Sequence, residues 1–240
     1  MKRIFAGLFF TSFILGSCHF MGGHRVKGNG TMKTETRNAS GFNAVDIRGN
    51  MDLYLRQDSS FSVRVEADEN LMEYIIIKTE GNKLVIEPKD GYNLSGTKDI
   101  KIYVSAPQVK DLDASGSCDI IGENRIVSAE PFELDLSGSS DVKLEVNSPK
   151  VDAELSGSGS IQLKGETKDL FVSGSGSTDI ECMDLMAENV EVDISGSGNA
   201  NVFASVKLNV EVSGSGNIRY KGNAAVTKSI SGSGSITKVE

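Results

Sequence analysis

The sequence predicts an all-β fold: a single-chain parallel β-helix, or β-solenoid, of right-handed sense with stacked coils of about 18 residues. Three observations predict it. A Ser-Gly corner returns seven times, apolar residues flank it at a spacing of two, and each copy is too short to bury a core by itself. The first Ser of the corner is Ser115, Ser137, Ser156, Ser173, Ser195, Ser213 and Ser231, giving gaps of 22, 19, 17, 22, 18 and 18 residues.

The residue before each Ser is Ala114, Leu136, Leu155, Val172, Ile194, Val212 and Ile230, and two further back lie Leu112, Leu134, Ala153, Leu170, Val192 and Val210. That period of two is a strand with one buried face. Five residues after the Ser come Ile120, Val142, Ile161, Thr178, Ala200, Ile218 and Ile236, the start of a second strand. Gly supplies the backbone angles of a tight corner and leaves room for the next chain about 4.8 Å away.

At the N-terminus, Lys2 and Arg3 precede an apolar run from Ile4 to Leu15, which is shorter than a bilayer span and reads as a signal peptide over residues 1–17. The run ends in Leu15-Gly16-Ser17-Cys18, which resembles a bacterial lipobox, so Cys18 is the expected site of lipid attachment and the membrane an expected partner. Residues 18–41 are polar and Gly-rich without apolar periodicity, and are expected to be a flexible tether with a span of roughly 25 Å. The body, expected as one domain, is 42–240. Within it, alternation marks strands at 44–48, 51–57, 61–67, 83–87 and 99–105, while 69–77 is ambiguous, a short helical turn leading into a strand being one reading.

The succession FNAVDIRGNMDLYL, FSVRVEADENL, KLVIEP and then repeated LSGSG resembles the putative auto-transporter adhesin head GIN domain family found in lipoproteins and secreted proteins of Bacteroidetes. The resemblance runs from Phe42 nearly to the end of the chain. It implies an adhesin-like cell-envelope module at the outer membrane, and brings no catalytic residues with it.

Composition excludes more than it assigns. A net charge of −8 without a basic run argues against nucleic acid. Absence of Trp and an aromatic content of 6% are low for a carbohydrate-binding cleft. The only histidines, His19 and His24, lie in the expected tether, so the body's serines and its cysteines, Cys118 and Cys182, have no imidazole base. The SGSG segments lack the Lys of a phosphate-binding loop and precede strands, not helices. No cofactor is expected, and Cys118 and Cys182, three coils apart, are expected to be free thiols.

One pattern remains for binding. Two and four residues before the corner serines stand Asp111, Asp113, Glu133, Asp135, Asp152, Glu154, Asp169, Glu191, Asp193 and Glu211, a candidate acidic surface stripe. It reads either as a solvated face that opposes sheet stacking or as a collector of divalent cations such as Ca²⁺, or of a basic partner. Extra residues at 123–129 and 183–189 are expected to bulge from one edge and help form a partner surface. The expected function is a non-enzymatic, lipid-anchored, adhesin-like module with a glycan or protein ligand. The alternatives are a polysaccharide-active enzyme and a structural spacer.

Overall fold

The computed structural model describes residues 23–240. About three quarters of that length, 74%, is strand. One sheet of fifteen strands winds into a nearly closed, barrel-like wall around a common core, and a separate two-stranded parallel sheet pairs His24–Lys27 with Tyr92–Ser95. Cys18 lies outside the described residues.

The all-β expectation holds, but the parallel β-helix does not: the sheet is mixed. Met32–Arg37 pairs antiparallel with Ser62–Asp68, which pairs antiparallel with Lys101–Ala106, and Ile75–Glu80 pairs antiparallel with Lys83–Pro88. The cause is local in the last case. Only Gly81 and Asn82 separate those two strands, with Gly81 at φ +63°, and a two-residue turn can join strands only as a hairpin. The ambiguous stretch at 69–77 resolves into a 3-10 helix, Glu69–Tyr74, followed by that strand.

Elsewhere neighbours run parallel, and the register explains the apolar columns. Leu112 faces Leu134, which faces Ala153, and Ala114, Leu136 and Leu155 form the next column inward, all of them buried. Each fully buried aliphatic side chain of this kind contributes about 1.5–3 kcal/mol. On the strands past the corner, Ile120 faces Val142, and Ala200 lies between Ile180 and Ile218. The two sets of columns meet in one core cluster running from Phe42 to Ile218.

The corners stack as a ladder of glycines. Gly49, Gly116, Gly138, Gly157, Gly176, Gly196, Gly214 and Gly232 all have positive φ, and a Cβ on any of the last seven would strike the carbonyl oxygen of the glycine before it. This ladder corrects one register. The stacked glycine is Gly176, not Gly174, so Ser175 and not Ser173 occupies the corner, because SGSGS matches itself when slid by two. Gly174 instead takes the place of an inward apolar residue, where a Cβ would meet Thr178 and Ile194.

Two further expectations are corrected. Residues 23–41 are not a flexible tether: His24–Lys27 and Met32–Arg37 are ladder strands, and Asp68 locks the loop between them. Its carboxylate, 1% exposed, accepts hydrogen bonds from Gly30 N at 2.6 Å, Thr97 N at 2.8 Å and Thr97 Oγ1 at 2.8 Å. The extra residues of the long copies fall at register slips that overlap the expected segments, between Ile121 and Arg125, between Cys182 and Met186 and between Ala187 and Asn189, but they do not form simple outward bulges. They turn inward as much as outward. Asn124 clamps the backbone of Gln57 through two hydrogen bonds of 2.9 Å, and Leu185 is fully buried.

Candidate functional site

The outward face before the glycine ladder carries the predicted carboxylates. Asp111, Glu133 and Asp152 stand opposite one another in one column, and Asp113, Asp135 and Glu154 in the next, with Asp46 added ahead of Asp113. Further along, Asp193 faces Glu211, whereas Glu191 faces Asn209. Asp169 is not in the stripe. The glycine register places Phe171 and Ser173 in that row, and Asp169 accepts a hydrogen bond from Asn189 at 2.8 Å. The acidic face is therefore two blocks separated by an aromatic and a hydroxyl.

Cations balance part of the first block. Lys83 bridges Asp111 and Asp113, Arg48 pairs with Asp46, and Lys150 lies 2.8 Å from Asp152. Among the described residues Asp135 and Glu154 have no ion-pair partner. Burial, and then the neighbouring charge of Asp113, push the carboxyls of Asp135 and Asp111 above the ordinary carboxylate value. Ser115, Ser137 and Ser156 stack in register beside the column of Asp113, Asp135 and Glu154, and these two columns line a shallow groove of about 450 Å³. Among the described residues no group of three or more His, Cys, Asp or Glu side chains is arranged to hold a metal ion. Side chains in a straight column point the same way and do not converge on one centre.

The described cysteines carry no nucleophilic chemistry. Cys118 and Cys182 are unpaired and buried; burial pushes the Cys118 thiol up and the Cys182 thiol up to about 12.

A second concave region was not read from the sequence. Between the small sheet and the first corner lies a cleft of about 810 Å³ lined by His24, Asn50, Pro88, Tyr92, Asn93 and Ser117. Tyr92 packs against Tyr74 with ring centres 4.7 Å apart and against His24 at 5.9 Å. On the outer sheet face, Tyr54 stacks on Tyr103 at 4.9 Å with Arg64 lying 3.8 Å above the latter. Thus four of the five tyrosines form two pairs. Their crowding between residues 54 and 103 was visible in the sequence; their pairing required the fold.

Residues 41–224 match the family described as Putative auto-transporter adhesin, head GIN domain. The chain belongs to this family. Three crystal structures resemble this head GIN domain along almost its whole length. The protein named putative adhesin from Bacteroides fragilis NCTC 9343 is 21% identical, with a TM-score of 0.83 over 89% of this chain and 100% of that one. The protein named putative lipid binding protein from Parabacteroides distasonis ATCC 8503 is 30% identical, with a TM-score of 0.74 over 90% and 100%. The protein named putative adhesin from Parabacteroides merdae ATCC 43184 is 24% identical, with a TM-score of 0.71 over 91% and 100%. The first and third share the fold; the second is also a relative by sequence. No curated protein matches the chain. The family and these neighbours are named as adhesins or binding proteins, not as enzymes.

Proposed function

We propose that this chain is a non-enzymatic, adhesin-like binding module of the cell envelope, held at the outer membrane by lipid on Cys18. The observation that carries the binding reading is the match to the head GIN domain over residues 41–224. The acidic groove speaks against glycosidase chemistry for a geometric reason. Its carboxylates project from one sheet face in rows at strand spacing, whereas hydrolysis needs two carboxyls on opposite sides of the scissile bond.

The lipobox supports the anchor, and the fold shortens the tether. Because the ladder begins at His24, only five peptide steps separate Cys18 from Gly23, a reach of at most about 18 Å. Among the described residues no helix is long and apolar enough to cross a membrane. A lipid on Cys18 therefore holds the body close against the membrane surface instead of displaying it at a distance.

Metabolic labelling with a palmitate analogue, followed by membrane fractionation of the wild type and Cys18→Ala, tests the anchor. The expected result is label and membrane association in the first and neither in the second. Equal labelling of the two would overturn it. For the binding reading, incubation of the purified protein with polysaccharides should release no reducing ends, while adhesion to cell or glycan-coated surfaces is retained.

A further inference from the structure

We propose that the cleft between the small sheet and the first glycine corner is a binding site for a neutral saccharide. This rests on the reading of the chain as a binding module and names the ligand class of one site on it. The wall of the cleft is a dedicated structure. His24–Lys27 and Tyr92–Ser95 pair only with each other, outside the fifteen-stranded sheet, and are held to the body by Asn50 Nδ2 donating to the Leu94 carbonyl at 3.0 Å.

The lining selects the ligand by its chemistry. Among the described residues its lining holds no lysine, arginine or carboxylate, in a chain carrying 25 basic and 33 acidic residues; the neighbouring cation, Lys89, lies over the rings of Tyr74 and Tyr92 at 5.9 and 5.7 Å. A cationic ligand would find no carboxylate in this lining, and an anionic one only a lysine already engaged with two aromatic faces. Its apolar part is small and rigid: Pro88 and the ring of Tyr92, the latter held by Tyr74 and His24. Tyr92 is half-exposed, and a ring already fixed in this way offers its exposed part to the C–H side of a pyranose at little entropic cost.

The polar part is amide and hydroxyl: Asn50, Asn93 and Ser117. The bond to Leu94 orients the Asn50 amide and leaves its Oδ1 and second N–H for another partner. Amides and hydroxyls both donate and accept, which matches sugar hydroxyls that do the same. A lipid tail would leave these groups without hydrogen-bond partners. The volume, about 810 Å³, is within the range of ligand sites. An uncharged ligand with an apolar face and many hydroxyls fits all three features.

Saturation-transfer NMR with the full-length protein in detergent, against maltotetraose, cellotetraose, mannotetraose and chitotetraose, tests the proposal. The expected result is transfer to at least one of them, with affinity lowered at least tenfold by Tyr92→Ala and by Asn93→Ala. Tyr92→Phe should keep binding, because the ring and not the hydroxyl supplies the platform. Asp135→Asn, in the other groove, should leave it unchanged. Melting curves identify a misfolded variant, and Asn93→Ala, an exposed change, remains decisive if Tyr92→Ala fails to fold. Absence of transfer to all four sugars, or transfer that Asn93→Ala and a folded Tyr92→Ala both leave intact, overturns the site. Surface adhesion that persists while none of the four sugars binds or competes would remove this site and leave the binding-module reading standing. Sugar binding without any surface adhesion would do the reverse.

Discussion

Asp135 stands directly opposite Asp113 in the parallel ladder, with Glu154 on its other side. Like charges at strand spacing repel by about 1 kcal/mol per pair in water, less with salt. Burial and these neighbours raise the Asp135 carboxyl above its ordinary value. An acid raised in the folded state takes up protons more readily when folded, so stability rises as pH falls through its folded value. Asp135→Asn should therefore stabilise the protein by about 0.5–1 kcal/mol at pH 7, and its advantage should shrink as pH approaches 4. Melting temperatures of both proteins at several pH values check this, and an Asn variant no more stable than wild type at pH 7 would contradict it.

Asp68 should behave in the opposite sense. Burial pushes its carboxyl up, but hydrogen bonds from Thr97 and Gly30 outweigh burial and lower it below its ordinary value. A lowered acid adds stability above its unfolded value, and that stability is lost as pH falls through the folded one. Asp68→Asn should cost about 2–4 kcal/mol at pH 7, since it breaks a buried network that ties the 28–31 loop to Thr97. The difference from wild type should narrow below pH 4. Chemical denaturation at pH 7 and pH 3.5 measures both effects.

Substitution in the glycine ladder should be far costlier than at an open turn. Gly157 has φ +119°, and a Cβ there would collide with the Gly138 carbonyl, which is itself fixed by the next rung. Gly157→Ala should destabilise by at least about 3 kcal/mol. Gly30 has φ +84° but no atom within 4 Å of the place a Cβ would take, so Gly30→Ala should cost only about 1–2 kcal/mol of backbone strain. Equal costs in urea titrations would show that the stacking does not govern the corner.

The two body thiols should be silent until the fold opens. Cys182 is fully buried with its thiol pushed up to about 12, and Cys118 sits unexposed beside the Gly49 and Ser115 carbonyls. With Cys18→Ala as background, a disulfide reagent at pH 8 should react with neither in the native protein and with two after denaturation. Fast modification of either in the native state would refute this.

By itself the sequence determined the all-β class, the inward columns such as Leu112, Leu134 and Ala153, the glycine corners and most of the acidic face. These follow from a period of two and from a backbone angle that only glycine tolerates well, both local properties. Tertiary structure decided the rest. Strand direction is not encoded in alternation, so the antiparallel pairing of Met32–Arg37 with Ser62–Asp68, and of the latter with Lys101–Ala106, became visible only when the partners were known. The choice between Gly174 and Gly176 was undecidable locally, because a repeated dipeptide fits its neighbour equally well in two positions. Packing against Ile194 and the carbonyl of Gly157 settled it, and that two-residue shift moved Asp169 out of the stripe. Nor did the polar composition of residues 23–41 reveal their strands, since their stability comes from ladder hydrogen bonds to Tyr92–Ser95 and Ser62–Asp68 and not from a buried face of their own.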